Sequence, residues 1–334
     1  ADAVQQFLAD NQARIADIAR AFPPAAWAAQ GMLGDAGALL RFLLTSLAAA
    51  GITVYGVGRV YRRLSLLPTA AGAAGKKAKG GRAYQALTPF QACCKREMRQ
   101  LLRVSPYAMN SLPTALMPAV MVVVFAMAFN RAVNAEGGAQ RMDLVLSELT
   151  PAVAVALLAA LMCFMAGINP AVATAVSREG KGHDMLTALP VSARTRVQAK
   201  LMVGLRLALV GLLPAAALLI VFAPGFALEI VLALALSGLY CFICAAISLA
   251  RDVRSPKLNW VTETEAIKQN TGSMVSIFAA WGILLALGAL SVLLLKIGAG
   301  LALYCLALGA LLGAGAWLSW RYLMRCADRC YCQG

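Results

Sequence analysis

Chemistry needs side chains that can take, give or hold something, and this chain offers few of them. Of 334 residues, one is histidine, His183, and fifteen are Asp or Glu. His183 stands in a charged stretch with no second ligand at metal-binding spacing, so it is expected to be a solvated side chain. The chain has no HExxH, no GxSxG and no glycine-rich phosphate loop followed by Lys. It therefore shows no ATP-binding machinery of its own. No catalytic, cofactor-binding or metal-ligating set is expected. Cys326, Cys330 and Cys332 crowd the end of the chain. Their spacing matches no zinc pattern and supplies no fourth ligand, so reduced, unliganded thiols are expected there.

Three stretches mix charge with apolar residues. The first runs from Ser177 through Arg178, Glu179, Lys181, Met185, Leu186, Leu189 and Pro190 to Arg194. Met185, Leu186 and Leu189 can form a helical turn or two ending before Pro190. Two readings stand level: an exposed apolar knob ringed by charge that docks into a partner's groove, or a solvated basic loop. The second stretch holds Pro256, Lys257, Leu258, Asn259, Trp260, Glu265, Lys268 and Asn270. Two readings stand here as well: a solvated basic loop, or a short helix through Lys268 that Thr262 and Glu265 have the spacing to cap with a capping box, with Leu258 and Trp260 anchored at a membrane interface. The third is Pro89–Arg103. Phe90, Cys94, Leu101 and Leu102 favour one helical face, while Lys95, Arg96, Arg99 and Arg103 favour the other. With Glu97 between them, this pattern fits a helix lying in the membrane interface, the other reading being a plain basic loop under an anionic leaflet.

The elements that must position these stretches are long apolar runs. Seven spans are expected: Ala36–Val57, Ala108–Phe129, Thr150–Ile168, Leu201–Phe222, Ala227–Ala250, Met274–Leu295 and Gly298–Trp320. Each has about the 20 residues that cross a bilayer core. Pro151 suits a first helical turn, and Pro214 predicts a kink in the fourth span. Gly309 and Gly313 form a GxxxG pair, which in so Ala- and Gly-rich a chain reads as composition rather than a helix contact. Overall 61% of residues are hydrophobic, only 13% are charged, and the mean hydropathy is +0.73. A soluble domain has about 25% charged residues, so an all-α integral membrane protein is expected.

Net charge is +15. Lys and Arg sit between apolar runs rather than on a soluble module, which disfavours nucleic acid and favours the positive-inside rule. Arg59 to Arg103 holds eleven Lys or Arg and one acid, Glu97. Placing that loop inside puts every later basic cluster inside as well, including the tail with Arg321, Arg325 and Arg329. The C-terminus is then cytoplasmic. The middles of all seven spans lack Asp, Glu, Lys, Arg and His, which argues against a proton relay or a charge-lined pore. Arg206, near one end of the fourth span, is expected to snorkel.

At the three charged stretches the sequence resembles the permease subunit of a bacterial type-2 ATP-binding-cassette exporter. Ser177-Arg178-Glu179-Gly180-Lys181 followed by Leu189-Pro190-Val191-Ser192 is similar to the loop which that family places between its second and third helices. Pro256-Lys257-Leu258-Asn259-Trp260, with Glu263, Glu265, Ala266, Lys268, Gln269 and Asn270, is similar to the loop after the fourth helix. Pro89 to Pro113, with Lys95, Arg96 and Glu97, is similar to the interfacial elbow helix before the first. His183-Asp184 departs from the bulkier residues of that pattern.

The resemblance covers most of Pro89–Gly334. It implies that the last six spans form one permease half led in by the elbow. Residues 1–34 are then extracytoplasmic, 35–58 a helix ending a preceding half, and 59–87 a basic cytoplasmic linker, Gly-rich over Ala70–Gly81. Residues 88–105 are the elbow, 106–323 the six-helix domain, and 324–334 a cytoplasmic tail. It further implies a longer natural chain and a location in the bacterial cell membrane. A separate ATPase subunit carrying ATP and Mg would dock on Arg178–Pro190. Lipids, and either a second permease half or a homodimer, complete the expected partners. The expected function is export of an amphipathic or hydrophobic substrate by a chain that is not itself an enzyme. The rival is an ATP-independent secondary transporter or a non-transporting membrane scaffold.

Overall fold

The computed structural model describes residues 23–65, 87–134, 149–268 and 270–330. Gln269, Cys332, the basic linker Ala70–Gly81, most of the 131–148 connection and most of residues 1–34 lie outside them. The chain divides into two compact units, Ala1–Tyr84 and Gln85–Gly334.

In the first unit, α1 (Pro23–Met32) ends before Gly34, whose φ of +102° gives the left-handed turn that suits glycine. Asp35 then caps α2 (Ala36–Ser65), its carboxylate accepting from Gly37 N at 2.9 Å and Ala38 N at 3.1 Å.

Every regular element among the second unit's described residues is a helix. It opens with α3 (Pro89–Arg103), started by a closed capping box between Thr88 and Gln91 with Pro89 in the first turn. Val104 is extended, and Pro106, which has no N–H, sits in the first turn of α4 (Ser105–Val133). The chain thus breaks where Ser105-Pro106 predicts. α5 (Pro151–Ala166) follows, then the short α6 (Pro170–Ala173), a 3₁₀ segment Ser177–Gly182 and α7 (His183–Thr187). α8 (Ala193–Phe222) is capped by Ser192 and runs on through Pro214. A turn at Pro224–Phe226 leads to α9 (Ala227–Arg254), α10 (Glu263–Lys268), α11 (Thr271–Lys296) and α12 (Leu301–Cys330).

α4, α8, α9, α11 and α12 are long and apolar enough to cross a membrane, and Ala36–Ile52 and Pro151–Phe164 are shorter apolar helices. These seven correspond to the seven apolar runs of the sequence. The protein is an all-α integral membrane protein.

α9 is the axis of the second unit, packing against α5, α8, α11 and α12. Its apolar window is 56% buried inside the molecule, against 6% for α11, whose residues are mostly exposed or half-buried. Tyr240 of α9 is fully buried and donates its hydroxyl to Ala280 O of α11 at 2.8 Å. α8 approaches α4 so closely that a Cβ on Gly211 would fall 1.8 Å from Ala115 O. By contrast, a Cβ on Gly309 or Gly313 would meet nothing within 4 Å among the described residues. α12 extends past the expected end of its span, and Leu323, Met324, Cys326 and Ala327 are buried. The start of the 324–334 tail is thus a packed helix end.

Candidate functional site: a buried charge cluster

The three charged stretches, far apart in sequence, meet at one end of the second unit. α3 lies against α8 through Cys94, Ala199 and Val203, with Phe90, Cys93 and Met98 beside them. The buried stripe of α3 is Cys94, Glu97 and Leu101, following helical spacing. An acid therefore shares the buried face with Cys94 and Leu101, while Leu102, expected on the same apolar face as they are, is half exposed.

Lys200 of α8 answers that acid. Its ammonium lies 2.8 Å from Glu97 Oε1 and 2.8 Å from Glu179 Oε1, and it donates to Ala175 O at 2.8 Å. Three contacts at 2.8 Å match its three N–H donors. Arg178 stands 3.8 Å from Glu97 Oε2, donates to Ala171 O at 2.8 Å and lies over the Tyr107 ring. Arg96 comes within 3.8 Å of Glu179 and 3.9 Å of Glu97, while its side chain stays partly exposed. Glu97, Arg178, Glu179 and Lys200 are all buried. Bare ions in such a place cost several kcal/mol each, and only close counter-ions and hydrogen bonds offset that.

His183 is the clearest departure from expectation. It is buried rather than solvated, and its Nδ1 lies 2.6 Å from Glu179 Oε2. The two stand four residues apart, with the left-handed turn at Gly180 between them. Burial pushes the Glu179 carboxyl up. The Lys200 charge and hydrogen bonds from His183 and Lys200 more than reverse that, holding it at about 2.

A second knot adjoins the first. Asp252, at the end of α9, accepts from Val176 N at 2.6 Å, from Ser177 N at 3.1 Å and from the Ser177 hydroxyl. Ser177 Oγ also accepts from Lys257 N at 2.9 Å and Asn270 Nδ2 at 3.1 Å. Ser177 O takes the Trp260 indole N–H at 2.8 Å. Trp260 lies against Gly180, whose φ is +51° and whose absent Cβ would fall 2.6 Å from Trp260 Cζ2. Trp260 thus clamps the two loops together. Gln100 of α3 closes the circle by donating to Arg178 O at 3.1 Å. Ser177 is wholly buried with its hydroxyl committed, so the arrangement fixes backbone rather than activating a nucleophile.

The expected capping box at Thr262 does not close. Lys257, 2.9 Å away, draws the Glu265 carboxylate aside, and it accepts instead from Val261 N at 3.1 Å. Asn270 caps α11 through Gly272 N.

The remaining predicted residues lie outward. Lys95, Arg99, Lys181, Asn259 and Lys268 are exposed, and Pro256 is half-buried. The apolar knob is split. Met185 is 72% exposed and Leu189 50%, but Leu186 is buried, because it lies one turn from His183 on the inward face of α7. Arg196 of α8 ties down the return segment, donating to Thr187 O, Leu189 O and Val191 O at 2.7–3.1 Å. Between α3 and α7 runs an open groove of about 640 Å³, lined by Lys95, Arg96, Arg99, Arg103, Met185 and Leu186.

The sequence reading had no role for Lys200, Asp252 or Arg196. Their signal is position: each stands near the end of a long apolar helix, where an ionic side chain needs a partner if the end is packed. The Glu179–His183 spacing is a second signal.

No curated protein and no solved structure matches the chain. Residues 5–314 match the model of one family, described by its spans, and on that extent the chain belongs to the family "Membrane protein of 12 TMs".

Proposed function

We propose that the chain is the membrane-spanning permease of an ATP-driven exporter of the type-2 ATP-binding-cassette class. In this reading it moves an amphipathic or hydrophobic substrate and catalyses no reaction itself. A separate ATPase subunit holds ATP and Mg, and it docks on the Arg178–Pro190 loop. The chain sits in a bacterial cell membrane with the loops and the C-terminus on the cytoplasmic side, as the distribution of Lys and Arg favours.

One observation carries the reading. The loop is rigid at its base and exposed at its tip. Its base (Ser177, Arg178, Glu179) is locked by ions and hydrogen bonds to α3, α8 and α9. Its tip (Met185, Leu189) is apolar and exposed beside a cationic groove. A force on that tip is passed to three helices at once, which is what coupling of ATP closure to helix rocking requires. The family's twelve spans equal two six-helix halves, and the six apolar helices after α3 would make one such half.

The test is a detergent pull-down of the full-length protein with the ATPase encoded beside it, comparing wild type with Met185→Glu plus Leu189→Glu. Both side chains are exposed, so folding is spared. Retention by wild type and loss by the variant supports the reading. Retention by neither, with transport in proteoliposomes lacking any ATPase, replaces it with a secondary transporter.

A further inference from the structure

Arg206 is an ionic side chain exposed on the apolar helix α8. Such a charge is costly unless it reaches a headgroup or a counter-ion. Among the described residues no carboxylate pairs with it. Across an open groove of about 700 Å³ stand Lys95 and Arg99 of α3, also without a carboxylate partner among the described residues, and Phe90, Cys94 and Met98 line the same groove. Three cations therefore face one space whose other walls are mostly apolar. The groove is made to receive an anion.

The shape of the anion follows from α8. Met202, Leu209, Val210 and Leu213 are exposed, and they stand at i−4, i+3, i+4 and i+7 from Arg206. Helical geometry puts all four on its face. A cationic groove thus opens onto an apolar stripe along a membrane-spanning helix. A soluble anion would use the first and leave the second uncovered, whereas a phospholipid covers both.

We propose that Lys95, Arg99 and Arg206 hold the phosphate of an anionic phospholipid whose acyl chain lies along Met202, Leu209 and Leu213. This site does not rest on the exporter reading, although Lys95 and Arg99 also line the groove beside Met185. It gives Arg206 a counter-ion and pins α3 to α8 at the edge of the bilayer.

The test is native mass spectrometry of the full-length protein in neutral detergent, titrated with phosphatidylglycerol or phosphatidylcholine. Each basic residue near an anionic surface is worth about a fivefold factor in binding. Arg206→Gln is expected to weaken phosphatidylglycerol about fivefold. The Lys95→Gln, Arg99→Gln, Arg206→Gln triple variant should lose about a hundredfold. Arg206→Lys should lose less than Arg206→Gln, and Arg325→Gln with Arg329→Gln should lose nothing. Equal melting temperatures in detergent alone show that the variants fold. The proposal is overturned if the triple variant binds as wild type does, or if phosphatidylcholine binds as tightly as phosphatidylglycerol. Displacement by glycerol phosphate as effective as by the lipid would make this a soluble-anion site and overturn it too. So would a triple variant that keeps the lipid but loses a copurifying acidic protein.

Discussion

The middle of the helical bundle and its charged end are held by opposite physics, although α9 runs through both. In the middle, Ile230, Leu212 and Tyr240 pack among apolar neighbours. Lipid is as apolar as they are, so close fit rather than exclusion of water must hold the helices together. At the charged end Glu97, Arg178, Glu179 and Lys200 are buried together, and each depends on the others to offset its lost hydration. The middle should therefore tolerate loss of any single contact. The end should not tolerate loss of any single ion.

Removing Lys200 is the strongest way to break that contrast. Lys200→Met leaves Glu97 and Glu179 facing each other without the shared ammonium. It is expected to cost about 3–5 kcal/mol, read as a loss of melting temperature in detergent. A loss below about 1 kcal/mol would mean that the cluster is wetter than its burial indicates.

Acid should dissolve the same end selectively. Glu179 takes its proton near pH 4.5 when unfolded and near pH 2 when folded. The unfolded state is protonated first as pH falls, so the stabilisation is complete above about pH 5, shrinks below 4.5 and is gone near 2. A melting series from pH 6 to pH 3 should fall for the wild type and run flatter for Glu179→Gln. The difference at stake is on the order of 3 kcal/mol.

In the middle, only overfilling should match such effects. Gly211→Val drives a side chain into the Ala115 backbone and should cost about 1–3 kcal/mol. The smallest change sharpens the comparison from outside. Arg194 and Asp328 meet at 2.6 Å, but both side chains are largely exposed. Arg194→Ala should leave the melting temperature in detergent unchanged, because water screens the pair.

The spans, the α3 helix and the break at Ser105-Pro106 were legible because their signals are local: apolar length, helical period and proline. The charged stretches were legible as three separate strings. Their union was not, because it pairs residues such as Glu97 with Lys200 and Ser177 with Asp252, 103 and 75 positions apart. No period or cap records such a pairing. His183 shows the same limit in miniature. A lone histidine among charges looks wet until its neighbour Glu179 is seen to be buried with it. The capping box failed at Glu265 because a tertiary ion pair with Lys257 outcompeted a local hydrogen bond.

The contact between Gly180 and Trp260 also bears on how the two loops are inherited. Any side chain at 180 would collide with the indole, and any loss of the indole would leave Ser177 O without its donor. Neither loop can drift alone. A chimera that takes one loop from a relative must take the other from the same parent, so the pair behaves as a single cassette.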